Sequence, residues 1–297
     1  MLYGTFTALI TPFRKQAFDI AAYEQQIAFQ AHHKLQGIVA VGTTGESPTL
    51  SHPEHKQVIE VAVKVGHARG LKVLAGTGSN STDEAIALTQ YAKTAGADAA
   101  LLVNPYYNKP TQEGLYRHFK AVAQAANIPL VLYNIPGRTS ITMTVATMLR
   151  LTKDCKNIVA VKDAAGNTDL TTEAAAAGLT VLSGDDSMTL PMMAVGAKGV
   201  ISVASNIVPG EVRRLVDAAT AGDLAMARSI HYQLFPLCKA LFMETNPIPV
   251  KTAMAMLGRD TGEMRLPLCE MAESNRALLK LALVQAGLLP AHSQEPK

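Results

Sequence analysis

Ile158-Val159-Ala160-Val161-Lys162 is an apolar run that ends in a lysine, and Asp163-Ala164-Ala165-Gly166-Asn167 follows it. Apolar residues without polar alternation are typical of a strand that is buried on both faces. Burial disfavours an ammonium group and lowers a lysine pKa from its reference of about 10.4. A neutral amine can attack a carbonyl group and form a Schiff base. From this segment alone, Lys162 is either such a nucleophile or a lysine that reaches the surface from a strand end.

Similar apolar runs recur along the chain and predict eight short strands in all. They are 7–10, 38–41, 73–75, 99–103, 130–133, 158–161, 180–182 and 200–203. Segments with helical periodicity separate them, and their starts carry capping signals. Ser51 with Glu54, and Ser81 with Glu84, have the spacing of a capping box, and Gly96 is suited to end the second helix.

This alternation predicts an α/β fold, a (β/α)₈ TIM barrel with a C-terminal helical appendage. The competing architecture is a doubly wound open sheet, and eight regular repeats favour the barrel. We expect the catalytic barrel to occupy residues 1–210. From residue 211 the chain has helical patterns only, so we expect 211–297 to be a helical region packed on the barrel.

Composition excludes several classes of function. The 297 residues carry a formal charge of only +3, and their lysines and arginines form no block, so nucleic acid is not an expected partner. No apolar stretch is long enough to span a membrane, and residues 1–10 lack the basic region and apolar segment of a signal peptide, so we expect neither. Cys155, Cys238 and Cys269 are odd in number and far apart, which favours reduced thiols in a cytoplasmic protein. The usual zinc-binding spacings are absent, so we expect no metal.

Polar residues follow nearly every predicted strand. In a barrel these positions share the carboxyl-end face, where active sites lie, so they predict a polar pocket that contains Lys162. The segments are Gly42-Thr43-Thr44-Gly45-Glu46, Gly76-Thr77-Gly78-Ser79-Asn80, Asn104-Pro105-Tyr106-Tyr107-Asn108, Asn134-Ile135-Pro136-Gly137-Arg138, Lys162-Asp163, Ser183-Gly184-Asp185-Asp186 and Ala204-Ser205-Asn206.

The glycine-rich turns do not match a nucleotide-binding motif. Gly42-Thr43-Thr44-Gly45-Glu46 can hold a carboxylate or phosphate with its amides and hydroxyls, or it is a turn that caps the next helix. It lacks the Gly-Lys-Ser/Thr pattern of a phosphate-binding loop. Gly76-x-Gly78 lacks the third glycine of a dinucleotide fingerprint. We therefore interpret these glycines as turn residues.

Tyrosines and one arginine at strand ends are further candidates. Tyr106, Tyr107 and Tyr133 could be packing residues at the rim, or a phenol among them could relay protons. Arg138 follows a Pro-Gly turn, and an arginine at a barrel mouth is either solvated or able to clamp a carboxylate through two hydrogen bonds.

These motifs together closely resemble the dihydrodipicolinate synthase family within the class I pyruvate aldolase–lyase group. The resemblance covers nearly the whole chain, and the combination of motifs is highly specific. The matching segments are Gly4-Thr5, Thr11-Pro12, Gly42-Thr43-Thr44-Gly45-Glu46, Asn104-Pro105-Tyr106-Tyr107-Asn108, Tyr133-Asn134-Ile135-Pro136-Gly137-Arg138, Val161-Lys162-Asp163, Ser183-Gly184-Asp185-Asp186, Gly199-Val200-Ile201-Ser202-Val203 and Asn246-Pro247-Ile248-Pro249-Val250-Lys251.

The resemblance implies the condensation of pyruvate with L-aspartate 4-semialdehyde, the first committed step of lysine biosynthesis. Lys162 would form the Schiff base with pyruvate, and no metal or organic cofactor would be needed. Thr43, Tyr133 and Tyr107 would form a proton relay. In this family Tyr107 reaches the site of a neighbouring subunit, so the resemblance implies a homo-oligomer, by family default a tetramer built as a dimer of dimers.

The resemblance also implies four substrate-binding positions. Thr44 and its turn would hold the pyruvate carboxylate, and Arg138 would bind the carboxylate of the semialdehyde. Backbone groups at Gly184 and Ile201 would line the site near Lys162.

Two rival functions remain open. Another class I aldolase, such as an N-acetylneuraminate lyase or a keto-deoxy sugar acid aldolase, would share the barrel and Lys162. Thr43 and Arg138 follow the synthase pattern rather than the neuraminate lyase pattern. The second rival is a barrel that binds pyruvate without turnover, since fold does not fix function. A decayed site should have lost Lys162, Tyr133, Thr43 or Arg138, and all four are present.

A lysine-binding regulatory site is the last expectation from the resemblance. The positions that match it are Ser47, His52, His55, Asn80, Glu84 and Tyr106. Glu84 has the alternative role of capping partner to Ser81, and the two histidines could be ordinary first-turn residues of a helix. Pro48 stands where lysine-sensitive relatives have alanine. We expect inhibition by L-lysine.

Overall fold

Eight parallel strands close into a barrel, which confirms the predicted fold class. The computed structural model describes residues 2–290. In barrel order the strands run β1-β4-β5-β6-β7-β8-β9-β10 and back to β1, while β2 and β3 form a separate hairpin. The bounds are β1 (Gly4–Ala8), β2 (Phe13–Arg14), β3 (Ala17–Phe18), β4 (Gly37–Ala40), β5 (Lys72–Gly76), β6 (Ala99–Val103), β7 (Leu130–Asn134), β8 (Ile158–Asp163), β9 (Val181–Ser183) and β10 (Gly199–Ser202).

In several barrel strands, successive residues enter different apolar clusters. Val39 and Val131 belong to a cluster that receives residues from all eight strands and therefore fills the barrel. Ile38 and Leu132 belong to another, between the strands and the surrounding helices. Because both faces are buried, the strands carry unbroken apolar runs, as parallel sheets do.

Helices cover the barrel and extend it at the C-terminal end. Their bounds are α1 (Ile20–His32), α2 (His52–His67), α3 (Thr82–Ala95), α4 (Gln112–Ala125), α5 (Pro136–Thr139), α6 (Val145–Asp154), α7 (Thr168–Ala176), α8 (Thr189–Ala194), α9 (Pro209–Thr220), α10 (Leu224–Ala240), α11 (Ile248–Met256) and α12 (Glu273–Gln285). Helix α9 packs on β1, β10 and α8, so it is the outer helix of the last barrel unit. The division that we predict at residue 210 falls within it.

The C-terminal helices α10 to α12 share their core with the barrel, since Leu237, Val250 and Leu283 join the cluster that fills it. The expectation of helix alone after residue 211 is wrong in detail, because residues 257–272 are irregular. Gly258 and Gly262 there adopt positive φ, which helices do not accommodate. Residues 291–297 of the predicted C-terminal region lie outside the described part of the chain.

The first strand lies earlier than the apolar run 7–10 predicts, because its buried positions include threonines. Thr5 and Thr7 are fully buried, and the Thr7 hydroxyl donates to Gln30 Oε1 at 2.7 Å. A search for apolar residues alone misses a strand in which buried threonines alternate with apolar residues. The hairpin of β2 and β3 was not predicted either.

None of the helices within residues 2–290 combines the length and the apolar character that a membrane crossing requires.

Candidate active site

A cavity of about 450 Å³ lies at the carboxyl ends of the barrel strands. This is the face where the sequence predicts a polar pocket. Most of the side chains singled out from the sequence line it together, namely Thr43, Thr44, Ser47, His52, His55, Glu84, Tyr106, Tyr133, Arg138, Lys162 and Gly184. The candidate catalytic residues and most of the candidate regulatory residues therefore share one continuous space.

Lys162 lies near the end of β8, beside Tyr133 on β7. The two residues are paired across the parallel strands, and the Lys162 Nζ lies 4.1 Å from the centre of the Tyr133 ring. The lysine stem also packs against Gly184, where a methyl group in place of the glycine hydrogen would lie only 2.9 Å from Lys162 Cε. Glycine at that position leaves the space that the lysine side chain occupies.

Burial lowers the pKa of Lys162 to about 7. The negative charge of Asp186 opposes this fall, and the positive charge of Arg138 adds to it. Asp186 is itself buried, where it accepts hydrogen bonds from Ser202 Oγ and from the Val203 and Ala204 amides at 2.5, 2.8 and 3.0 Å. A substantial fraction of Lys162 is therefore uncharged at neutral pH, as a nucleophilic amine must be.

Tyr133 keeps its phenol proton at neutral pH. Burial raises the pKa of Tyr133, while Arg138 and the polar Thr43 hydroxyl nearby oppose the rise. Thr43 and Tyr133 are thus coupled within one protomer beside the lysine. A protonated phenol in this position can donate a proton and recover it through the threonine hydroxyl.

Thr44 is oriented by Asn246, a residue that the sequence analysis quoted only within a family motif. Asn246 Nδ2 donates to Thr44 Oγ1 at 3.0 Å. With its oxygen engaged as an acceptor, the Thr44 hydroxyl can donate its proton into the cavity. Asn246 Oδ1 is buried and has no hydrogen-bond partner within residues 2–290. Only the family motif pointed to Asn246, because it lies 202 residues from Thr44 along the chain.

Arg138 is anchored at the mouth of the cavity by the same loop. Its Nη2 donates to the Asn246 carbonyl oxygen at 3.0 Å and approaches Thr245 Oγ1 at 3.5 Å. The side chain is otherwise exposed, so part of the guanidinium fork remains open to a ligand.

Three predicted site residues do not line the cavity. Tyr107 is 92% exposed and has a positive φ of 72°, so its ring projects away from its own barrel. Ile201 is buried opposite Phe6 in the barrel wall, two residues before Val203, which does line the cavity. Asn80 lies outside and joins two loops, since its Nδ2 donates to the Tyr106 carbonyl at 3.2 Å.

Glu84 does not complete the capping box that its spacing with Ser81 predicts. Ser81 Oγ accepts from the Glu84 amide, but the Ser81 amide donates to Ser79 Oγ at 3.0 Å. The Glu84 carboxylate instead bonds His52 Nε2 at 2.8 Å and makes a short contact with Ser79 Oγ. By contrast, the box between Ser51 and Glu54 is complete. The Glu84 carboxylate therefore has no capping role, and Glu84 lines the cavity.

The two histidines near Glu84 do not form a metal pair. His55 is buried, its Nε2 bonds the Gly76 carbonyl oxygen at 2.9 Å, and burial lowers its pKa. His52 is directed to Glu84 instead. Across the described residues, no three histidine, cysteine or acidic side chains converge as metal ligands.

Comparisons with known proteins agree with this geometry. The sequence model of the dihydrodipicolinate synthetase family matches residues 1–286. The 4-hydroxy-tetrahydrodipicolinate synthase of Methanocaldococcus jannaschii is 53% identical over 290 residues, which cover 97% of this chain and 100% of that protein.

Two solved structures with bound ligands superpose on nearly the whole chain. The chloride-inhibited dihydrodipicolinate synthase of Acinetobacter baumannii, in complex with pyruvate, is 44% identical with a TM-score of 0.94, covering 97% of this chain and 100% of that one. The DHDPS of Cyanidioschyzon merolae with lysine bound is 40% identical with a TM-score of 0.94, covering 97% and 99%.

Proposed function

Because the chain belongs to the dihydrodipicolinate synthetase family, we propose how its pocket carries out the 4-hydroxy-tetrahydrodipicolinate synthase reaction. In this lyase reaction of diaminopimelate and lysine biosynthesis, pyruvate condenses with L-aspartate 4-semialdehyde. The observation that carries the proposal is Lys162, a buried amine with a pKa of about 7 in a cavity that also contains Thr44 and Arg138.

In the first half of the reaction, uncharged Lys162 attacks the keto carbon of pyruvate. Loss of water gives an imine, and the methyl group then loses a proton to give an enamine. The Thr44 hydroxyl, oriented by Asn246, holds the pyruvate carboxylate. Tyr133 supplies and recovers protons at the imine, with Thr43 as its hydrogen-bonded partner.

In the second half, the enamine carbon attacks the aldehyde of the semialdehyde. Arg138 lies at the cavity mouth, where its free N–H groups bind the carboxylate of this second substrate. The substrate amine then attacks the imine carbon, closes the ring and releases Lys162. Gly184 leaves room beside the lysine for these intermediates, and the backbone at Ile201 forms the wall below. The imine itself accepts the electrons, so the reaction needs no added cofactor.

A coupled assay tests the proposal. Condensation of pyruvate with L-aspartate 4-semialdehyde is followed as NADPH loss in the presence of a dihydrodipicolinate reductase. Activity that requires both substrates supports it. A folded protein that traps pyruvate on reduction with borohydride but gives no product would instead favour the binding-only barrel or another aldehyde partner.

L-Lysine is the proposed inhibitor, with a site at Ser47, His52, His55, Asn80, Glu84 and Tyr106. Support comes from the Glu84 carboxylate, which faces the cavity and can accept hydrogen bonds from an ammonium group. A structural relative from Cyanidioschyzon merolae has lysine bound.

A homo-oligomer, at least a dimer, is proposed because Tyr107 is exposed on the surface, where another protomer can contact it. The residue is 92% exposed and does not line the cavity that contains Thr43 and Tyr133 of its own chain. A second protomer that supplies Tyr107 would complete the relay. We further propose a cytoplasmic protein, since Cys155 and Cys238 are buried free thiols.

A further inference from the structure

The turn that carries Thr43 and Thr44 is held in a strained conformation. It begins at Val41 with φ of 50° and ends at Glu46 with φ of 54°. A positive φ is unusual for any residue with a side chain, and for β-branched valine it is an outlier. Such residues persist only where their surroundings hold them in place, and they cluster at functional sites. The surroundings of this turn therefore need an explanation.

Those surroundings contain a fully buried ion pair. Lys251 Nζ, on α11, lies 2.6 Å from Glu46 Oε1, and both side chains have no solvent exposure. The same amine donates to the Thr11 carbonyl oxygen at 3.0 Å and lies 4.4 Å from the centre of the Phe13 ring. The other Glu46 oxygen accepts from the Arg265 amide at 3.1 Å.

Thr11 provides a second connection between the Glu46–Lys251 ion pair and the turn. Its hydroxyl donates to the Gly45 carbonyl oxygen at 2.7 Å, while its own carbonyl accepts from Lys251. A methyl group at Gly45 would lie 3.2 Å from that threonine hydroxyl, so the chains are in close contact. The Lys251 amine on α11 therefore contacts both Thr11 and Glu46, and each of these is linked to the turn.

We propose that the buried Glu46–Lys251 ion pair is a positioning device that fixes the strained turn 41–46, and with it Thr43 and Thr44, for the reaction. The inference rests on the proposed roles of those two threonines. Stability alone does not explain the pair, because removing two charges from water costs about as much as their attraction returns. Neither residue touches the substrate; both act through the turn.

Three variants test the positioning role: Glu46→Gln, Lys251→Met and the double variant. Each single change leaves one buried charge without its partner and should lower the unfolding temperature. The double change removes both charges with little change in volume, so most of the stability should return. If the pair positions the turn, kcat/KM for pyruvate falls about 100-fold in the single variants, the loss that a misplacement of about 1 Å can cause. In the double variant it stays at least about 10-fold below wild type.

Leu279→Ala is the matched control, because Leu279 is buried on α12 in the C-terminal core and lies outside the turn's network. It should lower the unfolding temperature and leave KM for pyruvate within about 2-fold of wild type. Steady-state constants and unfolding temperatures are measured for all five proteins at a temperature where each is folded.

The proposal is overturned if the double variant regains wild-type kcat/KM together with its stability. It is also overturned if the single variants behave like Leu279→Ala, with lower stability and unchanged constants. Failure of the proposed function is a separate result, since wild-type protein would then fail to condense the two substrates. Borohydride trapping of pyruvate still reports on the turn in that case. If Thr44 is mispositioned, a higher pyruvate concentration is required for half-maximal trapping on Lys162.

Discussion

Lys162 and Lys251 are both buried, and their neighbours give them different chemistry. Burial lowers the pKa of each, but a carboxylate lies in direct contact with Lys251 alone. An ammonium paired at 2.6 Å and bonded to a carbonyl is held as a structural cation. Lys162 faces a phenol ring, a glycine and open cavity, so its neutral form is accessible. The difference in partners, not in burial, separates a nucleophile from an anchor.

The reactivity of Lys162 should follow its ionisation. With a pKa of about 7, the uncharged fraction rises as pH increases through 7, so the rate of pyruvate trapping should rise between about pH 6 and 8 and then level off. Borohydride reduction and mass spectrometry at each pH measure it. Lys162→Ala should abolish both trapping and turnover. An adduct of pyruvate mass in that variant would show that another residue is the nucleophile.

Arg138 should act mainly on the second substrate. Arg138→Met removes the guanidinium while Thr44, Tyr133 and Lys162 remain, so KM for the semialdehyde should rise about 10- to 100-fold, the loss expected for hydrogen bonds to a charged group. Pyruvate trapping should be nearly unchanged at about pH 9, where Lys162 stays largely uncharged although loss of the Arg138 charge raises its pKa. Arg117→Met is the control, since Arg117 is an exposed arginine of α4 that pairs with Glu113. A rise in the pyruvate requirement of equal size would contradict the assigned role.

Among the single elements, the N-terminus of α3 contains one residue that caps the helix, Ser81, and another that we assign to the lysine site, Glu84. Ser81 caps the helix, whereas the Glu84 carboxylate bonds His52 and Ser79. Glu84→Ala should weaken inhibition by L-lysine about 10-fold or more, because a charge-assisted hydrogen bond is lost. Ser81→Ala should cost about 1 kcal/mol of stability and leave the inhibition unchanged. Inhibition curves with L-lysine for the two variants test this assignment. If Glu84→Ala and wild type are equally sensitive to L-lysine, Glu84 does not belong to the regulatory site.

Arg265 joins the irregular segment 257–272 to the start of α2. Its two Nη atoms bond the two Glu54 oxygens at 3.0 and 2.6 Å. Chiefly because of Arg265, the pKa of Glu54 falls from 4.5 to about 2. A carboxylate with a lowered folded-state pKa stabilises the protein above its unfolded pKa, and this contribution disappears as pH falls towards 2.

Arg265→Gln should therefore reduce the free energy of unfolding by about 2 kcal/mol at pH 6, the usual contribution of hydrogen bonds to a charged group. The difference from wild type should shrink as pH falls from 4.5 to about 2. Urea unfolding across that range measures it, with Arg117→Gln as the exposed control. A difference that is constant with pH would mean that Arg265 stabilises the fold through its hydrogen bonds to the Thr49 and Gln16 carbonyl oxygens and its packing, and not through Glu54.

The sequence predicted the elements whose signals are local. Apolar runs located the barrel strands, and Lys162 was found because a charge at the end of such a run is unusual. The predicted position of β1 was displaced because Thr5 and Thr7 are polar yet fully buried. Glu84 was assigned an alternative capping role because spacing does not reveal a competing partner such as His52. Local patterns also could not pair Glu46 with Lys251, which lie 205 residues apart.

For the whole molecule, the exposure of Tyr107 leads to a testable proposal: Tyr107 of one protomer completes the active site of another. Tyr107→Phe should reduce turnover and leave pyruvate trapping on Lys162 largely intact. If Tyr107 serves a partner, mixing this variant with inactive Lys162→Ala should restore activity, because a mixed dimer has one complete site. Roughly a quarter of wild-type activity is expected, since half of the dimers are mixed and each has one working site of two.

The measurement is specific activity after the two variants are unfolded together and refolded, with each variant refolded alone as control. No gain on mixing would place Tyr107 in the site of its own chain, or outside catalysis altogether.

Barrel closure also sets an order of events during synthesis. Gly4–Ala8 completes its hydrogen bonding only with Gly199–Ser202. At about 5–20 residues per second, the first strand waits roughly 10–40 s on the ribosome for this neighbour. Asn246, Lys251 and Arg265 emerge later still, so the turn that carries Thr43 and Thr44 gains these contacts only after all the barrel strands have been made. A nascent chain that stalls before residue 251 would carry Lys162 but no organised carboxylate site, and one that stalls before residue 199 would also have an open barrel.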